Sequence, residues 1–245
     1  MVTDVIIRAD SVSGTSLNRL ADWFDDHHPD VPCSVFATRT ASEWTADSWT
    51  RATNLVKYQD WEIGGHSRKR RILTLFSGDE IRERIKNNVN DIESNMSNEH
   101  LEYSVSSFAY PCGDYDQIVI SILREIGIDN GLTYPDGYPY QSTTSIPVDG
   151  ERYRWGLTHN GYFDVDVWNK RFDHVHDQNG LYSLCLHPTW WETIEAEKRP
   201  SNAVDTIEDI RPFQAKEEPA KLESHLSYIK SKADVNFTTY KGLTE

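Results

Sequence analysis

Four short segments of this 245-residue chain place chemically able groups directly after an apolar run. Asp10-Ser11 follows DVIIRA, and His66-Ser67 follows Trp61-Glu62-Ile63 and a Gly64-Gly65 stop. Pro111-Cys112-Gly113 follows Val105–Tyr110, and His187-Pro188 follows Leu181–Leu186. If each run is a strand of a parallel βα architecture, these groups lie beyond its carboxyl end, where such folds carry their catalytic side chains. A carboxylate, two histidines and a Pro-x-Gly turn then converge on one rim. Each has an ordinary structural explanation alone, but four on successive strand ends need four separate ones. Cys185 adds a variant. It lies two residues before His187, so on a strand both side chains face the same way; with His66 and Asp10 they make a candidate soft zinc site, against the commoner alternative of a core-packed cysteine.

The elements that must position these groups alternate in the required way. Residues 15–26 carry Leu17, Leu20, Ala21 and Phe24 at helical spacing, with Thr15 or Ser16 as N-cap. VPCSVFAT at 31–38 reads as a buried strand, 47–58 as a helix, and Ser77 to about Met96 as a helix opened by a Ser77–Glu80 capping box. A strand (Val105–Tyr110), a helix (Asp116–Ile126), a strand (Gly131–Tyr134), the buried strand Leu181–Leu186, a helix (Ala220–Lys232) and a strand (Val235–Tyr240) follow. This rhythm predicts parallel βα units in one domain over residues 1–245. Residues 135–180, rich in Gly, Pro and Tyr, give no clear element, and 192–219 reads as a charged excursion.

Composition excludes some classes. With 39 Asp+Glu against 25 Lys+Arg, the formal charge is −14, which opposes nucleic-acid phosphates and anionic membrane surfaces. Arg exceeds Lys and Asp exceeds Glu, the pattern of a halophilic surface, although net charge by itself argues only for solubility. No apolar run reaches the ~18 residues of a membrane span, and the start, MVTDVIIRAD, lacks a signal-peptide pattern. Three widely spaced cysteines, Cys33, Cys112 and Cys185, form no disulfide framework, so a cytoplasmic protein is expected.

The ordered motifs resemble the polysaccharide deacetylases, the NodB-like or carbohydrate esterase family 4 group. Glu62-Ile63-Gly64-Gly65-His66-Ser67, continuing through Leu73, Thr74, Ser77, Glu80 and Ile81, is similar to the family's second motif. Phe108-Ala109-Tyr110-Pro111-Cys112-Gly113 resembles the third motif, Leu184-Cys185-Leu186-His187-Pro188 the late LHP motif, and Phe237–Tyr240 the closing strand. The resemblance covers about residues 4–191 and 225–243. It implies a distorted (β/α) barrel and a metal-dependent hydrolase that removes acetyl groups from N-acetylated sugars. It further implies an Asp and two His on the metal, a second Asp as base and the late His as acid. A cation would polarise the amide carbonyl and acidify the attacking water.

Carried over residue by residue, Asp10 is the base, His187 the acid, His66 a metal ligand and the Cys112 N–H an oxyanion donor. Two ligand positions depart. The motif's adjacent acidic pair is Asp10-Ser11, so Ser11 stands at the ligand position; slipping the fit by one makes Asp10 the ligand and leaves Ala9 as the base. The second histidine is replaced by Arg70, which has no lone pair to donate. Zinc is accordingly expected to bind weakly or not at all, unless Cys185 or His159 completes the site. Arg70 instead suits an oxyanion or a partnership with Asp10, or belongs to a basic loop that grips an anionic sugar. Tyr110, Trp155, Trp190 and Trp191 are the candidate sugar-facing aromatics. The expected function is deacetylation of an acylated glycan, with a catalytically silent glycan binder on the same fold as the alternative.

Overall fold

The computed structural model describes residues 2–38, 44–67, 72–133, 146–147, 156–157, 165–188 and 218–243. The first strand, β1 (Thr3–Val12), is buried along its length and leads into helix α1 (Gly14–His27). Strand β2 (Cys33–Ala37), helix α2 (Ala46–Gln59) and strand β3 (Glu62–Gly65) follow, then helix α3 (Gly78–Asn98) and strand β4 (Ser107–Ala109). Helix α4 (Gln117–Ile126) precedes β5 (Asn130–Leu132), β6 (Ile146–Pro147) and β7 (Gly156–Leu157). Helix α5 (Val165–His176), β8 (Leu181–Leu186), α6 (Glu218–Lys230) and β9 (Val235–Thr238) complete the described chain.

These strands form one sheet in the order β6-β5-β4-β3-β2-β1-β8-β7. The first half of β1 also pairs with β9, so β9 enters beside β1 below the point where β2 takes over. All pairings are parallel except β5 with β6. The sheet curls into a half-barrel, in keeping with the distorted (β/α) barrel that the sequence reading expects. The large apolar core lies between its outer face and the helices, whereas the inner face carries a small plug of Ile6, Phe36, Ala109, Leu132, Leu181 and Tyr240.

Local differences from the sequence reading have physical causes. Helix α1 is capped by Ser13, not by Thr15 or Ser16; Ser16 closes the box by accepting from the Ser13 N–H at 2.8 Å. Strand β3 does not stop at its glycines but runs through them. A Cβ on Gly64 would lie 2.4 Å from Phe36 and 2.8 Å from the Ser107 carbonyl, so the pair marks close packing inside a strand. Helix α5 occupies part of the stretch that gave no clear element; it buries Trp168, Phe172 and Val175. Most of the proposed excursion lies outside the described residues, and its last two positions begin α6. Among the described residues, no helix is long and apolar enough to cross a membrane.

Candidate active site at the barrel mouth

The carboxyl ends of β1, β3, β4 and β8 meet at one rim. Along it, Ser11, Ser67 and Cys112 all adopt left-handed backbone conformations, with φ of 58°, 63° and 58°. Such conformations are strained for residues with a Cβ and persist where the surroundings hold them. At Ser11 the register of β1 against β2 slips between Ala9 and Val12, which turns the Ser11 hydroxyl across the mouth.

That hydroxyl meets His66, with Ser11 Oγ 3.0 Å from His66 Nε2. His66 Nδ1 lies 2.8 Å from the Ala109 carbonyl, which can only accept, so Nδ1 carries the proton. Nε2 therefore presents its lone pair, and the Ser11 O–H donates to it. A buried amide that the sequence reading missed holds this arrangement. Asn88 Oδ1, on α3, accepts from the His66 N–H at 2.8 Å and the Ser67 N–H at 3.0 Å, while its Nδ2 donates to the Ala37 carbonyl. The signal was present: Asn88 stands among Ile81, Ile85, Val89 and Ile92 on the buried face of α3.

Asp10 is also buried, and it is not alone. Arg8, two residues earlier on the same face of β1, grips it through Nε and Nη2, each 2.6 Å from a carboxylate oxygen. The guanidinium reaches on to the Thr133 carbonyl at 3.0 Å and lies 5.5 Å from the Phe36 ring centre. Burial alone would push the Asp10 carboxyl up; the Arg8 charge and its hydrogen bonds outweigh that and hold it below the ordinary carboxylate range. Burial likewise opposes the Arg8 charge, but the Asp10 carboxylate beside it keeps it firmly protonated. A second buried carboxyl, Glu62, sits among the Ser34 hydroxyl, at 2.8 Å, and the Lys241 N–H, at 3.1 Å; burial pushes it up.

On the other side of β1, the parallel register sets Arg8 against Cys185 and Ala9 against Leu186, which brings His187 beside Asp10. One ligand atom each from Asp10, Cys185 and His187 lie within 4.8 Å of one another, and all three residues are buried. His66 is not part of that group. It belongs to Ser11 instead, so the four-residue soft site of the sequence reading divides into two. Cys112 sits in the Pro111–Gly113 turn with its side chain exposed. Tyr110 lies elsewhere than a sugar-facing role requires. Its ring is fully buried and stacks on Tyr115 at 4.9 Å, which makes it part of the core. Arg70, Trp155, His159, Trp190 and Trp191 lie outside the described residues.

A curled parallel sheet with a buried carboxylate and two imidazoles on one rim defines a class of (β/α) barrels, and the comparisons agree with that fold. Residues 10–131 match the sequence model of the polysaccharide deacetylase family, and the chain belongs to that family. A search of curated proteins finds no match. Among solved structures, the chain is similar to a protein from Mycobacterium smegmatis assigned as a polysaccharide deacetylase, with TM-score 0.65 and 13% identity over 99% of this chain and 88% of that one. A family 4 acetyl xylan esterase from Clostridium thermocellum, in complex with a cobalt ion, gives TM-score 0.60 and 17% identity over 98% and 90%. A CE4-family pseudoenzyme from Bacillus anthracis gives TM-score 0.57 and 14% identity; all of this chain is covered, spanning 66% of the length of that protein.

The acetyl xylan esterase is described in complex with a cobalt ion; the ligand positions that the resemblance assigns in this sequence are Ser11, His66 and Arg70. Ser11 contributes a neutral hydroxyl already directed at the His66 lone pair. The remaining position in the sequence is Arg70, a permanent cation.

Proposed function

We propose that the barrel mouth engages an N-acetylated or otherwise acylated glycan and acts on its acyl group as a deacetylase-like hydrolase. Asp10 serves as base, His187 as acid on the departing amine, and the Cys112 N–H as a donor to the carbonyl oxygen. The observation that carries this reading is the pairing of Asp10 and His187 on adjoining strand ends, within 4.8 Å at their ligand atoms. Arg8 keeps Asp10 ionised, the state a base requires, although a depressed pKa also limits its strength. Trp155, Trp190, Trp191 and Arg70 are the proposed sugar contacts. Three free cysteines support a reducing, cytoplasmic setting.

A second reading, a silent glycan binder, is favoured by the Ser11–His66 hydrogen bond, which occupies the lone pair a metal would take. Soluble chito-oligosaccharides, with acetate release and calorimetric binding measured together, separate the two. Acetate release that disappears in Asp10→Asn and in His187→Ala supports the hydrolase. Binding without acetate release establishes the binder, and then Ser11→Asp with Arg70→His should bring turnover on added metal. Neither binding nor release on any acylated sugar overturns both readings. Such a restoration has a parallel, since a mutant of the Bacillus anthracis pseudoenzyme is described as having restored enzymatic activity.

A further inference from the structure

We propose that Asp10, Cys185 and His187 form a binding site for a thiophilic divalent cation, of which zinc is the type, between β1 and β8. This site is distinct from the Ser11–His66 position. Among the described residues, these three are the one group of His, Cys, Asp or Glu side chains that could close on an ion. The placement follows from the register. Cys185 lies opposite Arg8, and residues two apart on a strand share a face, so Cys185 and His187 project together while Arg8 and Asp10 project beside them. The ligand atoms lie within 4.8 Å of one another. A tetrahedral zinc with ordinary bond lengths needs them about 3.3–3.7 Å apart, an inward shift of about an ångström.

Charge explains why a cysteine is required. Arg8 neutralises Asp10, so a cation arriving at that pair alone would meet no net attraction. Cys185 supplies the missing charge by ionising: its S–H bond breaks, the proton leaves to solvent, and a sulfur–metal bond forms. His187 contributes an imidazole lone pair. Asp10 has acceptor capacity beyond the two hydrogen bonds that Arg8 makes, since a carboxylate offers about four lone-pair sites. Arg8 then fixes the carboxylate's orientation, as supporting groups do in metal sites. Thiolate, imidazole and carboxylate together select zinc or cobalt over magnesium or calcium.

The bound ion would take the Asp10 lone pair that serves as base and the His187 nitrogen that must carry a proton to serve as acid. Occupancy and acyl hydrolysis at this rim therefore exclude each other, and the ion acts as an off-switch. The test uses the full chain and cobalt(II) in the absence of sugar, so it is independent of whether the chain hydrolyses anything. One equivalent of cobalt should produce a near-ultraviolet thiolate-to-cobalt charge-transfer band that zinc displaces. The band should vanish in Cys185→Ser and survive in His66→Ala and in Cys33→Ala with Cys112→Ala. His187→Gln should weaken binding by about tenfold or more, at least the loss seen for supporting residues. If Cys185→Ser does not fold, His187→Gln and the Cys33/Cys112 variant decide. Absence of the band in the wild type, its persistence without Cys185, or its loss on His66→Ala overturns the proposal.

Discussion

Replacing Arg8 by methionine removes the guanidinium that grips a fully buried carboxylate. Arg8 and Asp10 are both inaccessible to solvent and joined by two hydrogen bonds of 2.6 Å. Unit charges about 4 Å apart attract by about 4 kcal/mol at an effective dielectric of about 20. Removing one partner of a buried pair costs about 3–5 kcal/mol, because the other charge is left without compensation. The Thr133 carbonyl also loses a donor, worth about 1 kcal/mol. Against a total stability of about 5–15 kcal/mol, Arg8→Met should remove about a quarter or more. Adding Asp10→Asn to it removes the stranded charge and should return most of the loss.

The pH dependence carries the sharper signature. In the wild type the Asp10 carboxyl is held below its ordinary value, so its contribution is present above about pH 4 and lost as pH falls through the lowered value. Without Arg8, burial dominates and the folded-state value rises above the unfolded one. The mutant is then least impaired below about pH 4 and loses up to about 1.4 kcal/mol for each pH unit above it. Urea unfolding of wild type and mutant at about pH 5 and about pH 7 measures both effects. A deficit under about 1 kcal/mol at neutral pH, or one that does not shrink on acidification, refutes the argument.

Three further outcomes are expected. Gly65→Ala places a Cβ 2.7 Å from Phe108 and 2.9 Å from Asn88 Oδ1; it should cost about 1–3 kcal/mol in urea unfolding and shift the NMR signals of the His66 imidazole. An unchanged imidazole would show that Asn88 does not position it. Tyr110→Phe removes a buried hydroxyl with no partner among the described residues, so stability should stay level or rise by about 1 kcal/mol, and a clear loss would reveal an unrecognised partner. If the −14 charge is a halophilic adaptation, the melting temperature should climb from low salt to molar KCl as screening relieves self-repulsion; a flat or falling trend removes that reading.

How much of this was legible in the sequence depends on whether the signal was local. Leu181–Leu186 and the Ser77–Glu80 box were readable because a buried strand and a capped helix are written in adjacent residues. Helix α5 carried its signal too, in Trp168, Phe172 and Val175 at helical spacing, but its Gly- and Tyr-rich surroundings masked it. Strand order was not legible. Nothing in the sequence says that β8 pairs with β1 while β9 enters on the opposite side of β1.

The site divides along the same line. The resemblance picked out Asp10, His66 and His187 one by one, but chemistry at this rim depends on their partners. The sequence reading takes Arg8 only as part of the apolar run DVIIRA. The two-residue period of a strand, however, already put its guanidinium on the face of Asp10. By contrast, the Ser11–His66 contact joins groups 55 residues apart and needs the left-handed turn at Ser11, which no local pattern announces. Ser11 supplies a donor to the His66 lone pair on one flank of β1, and the proposed cation site lies on the other flank. Both arrangements follow from the same short sequence, Arg8-Ala9-Asp10-Ser11.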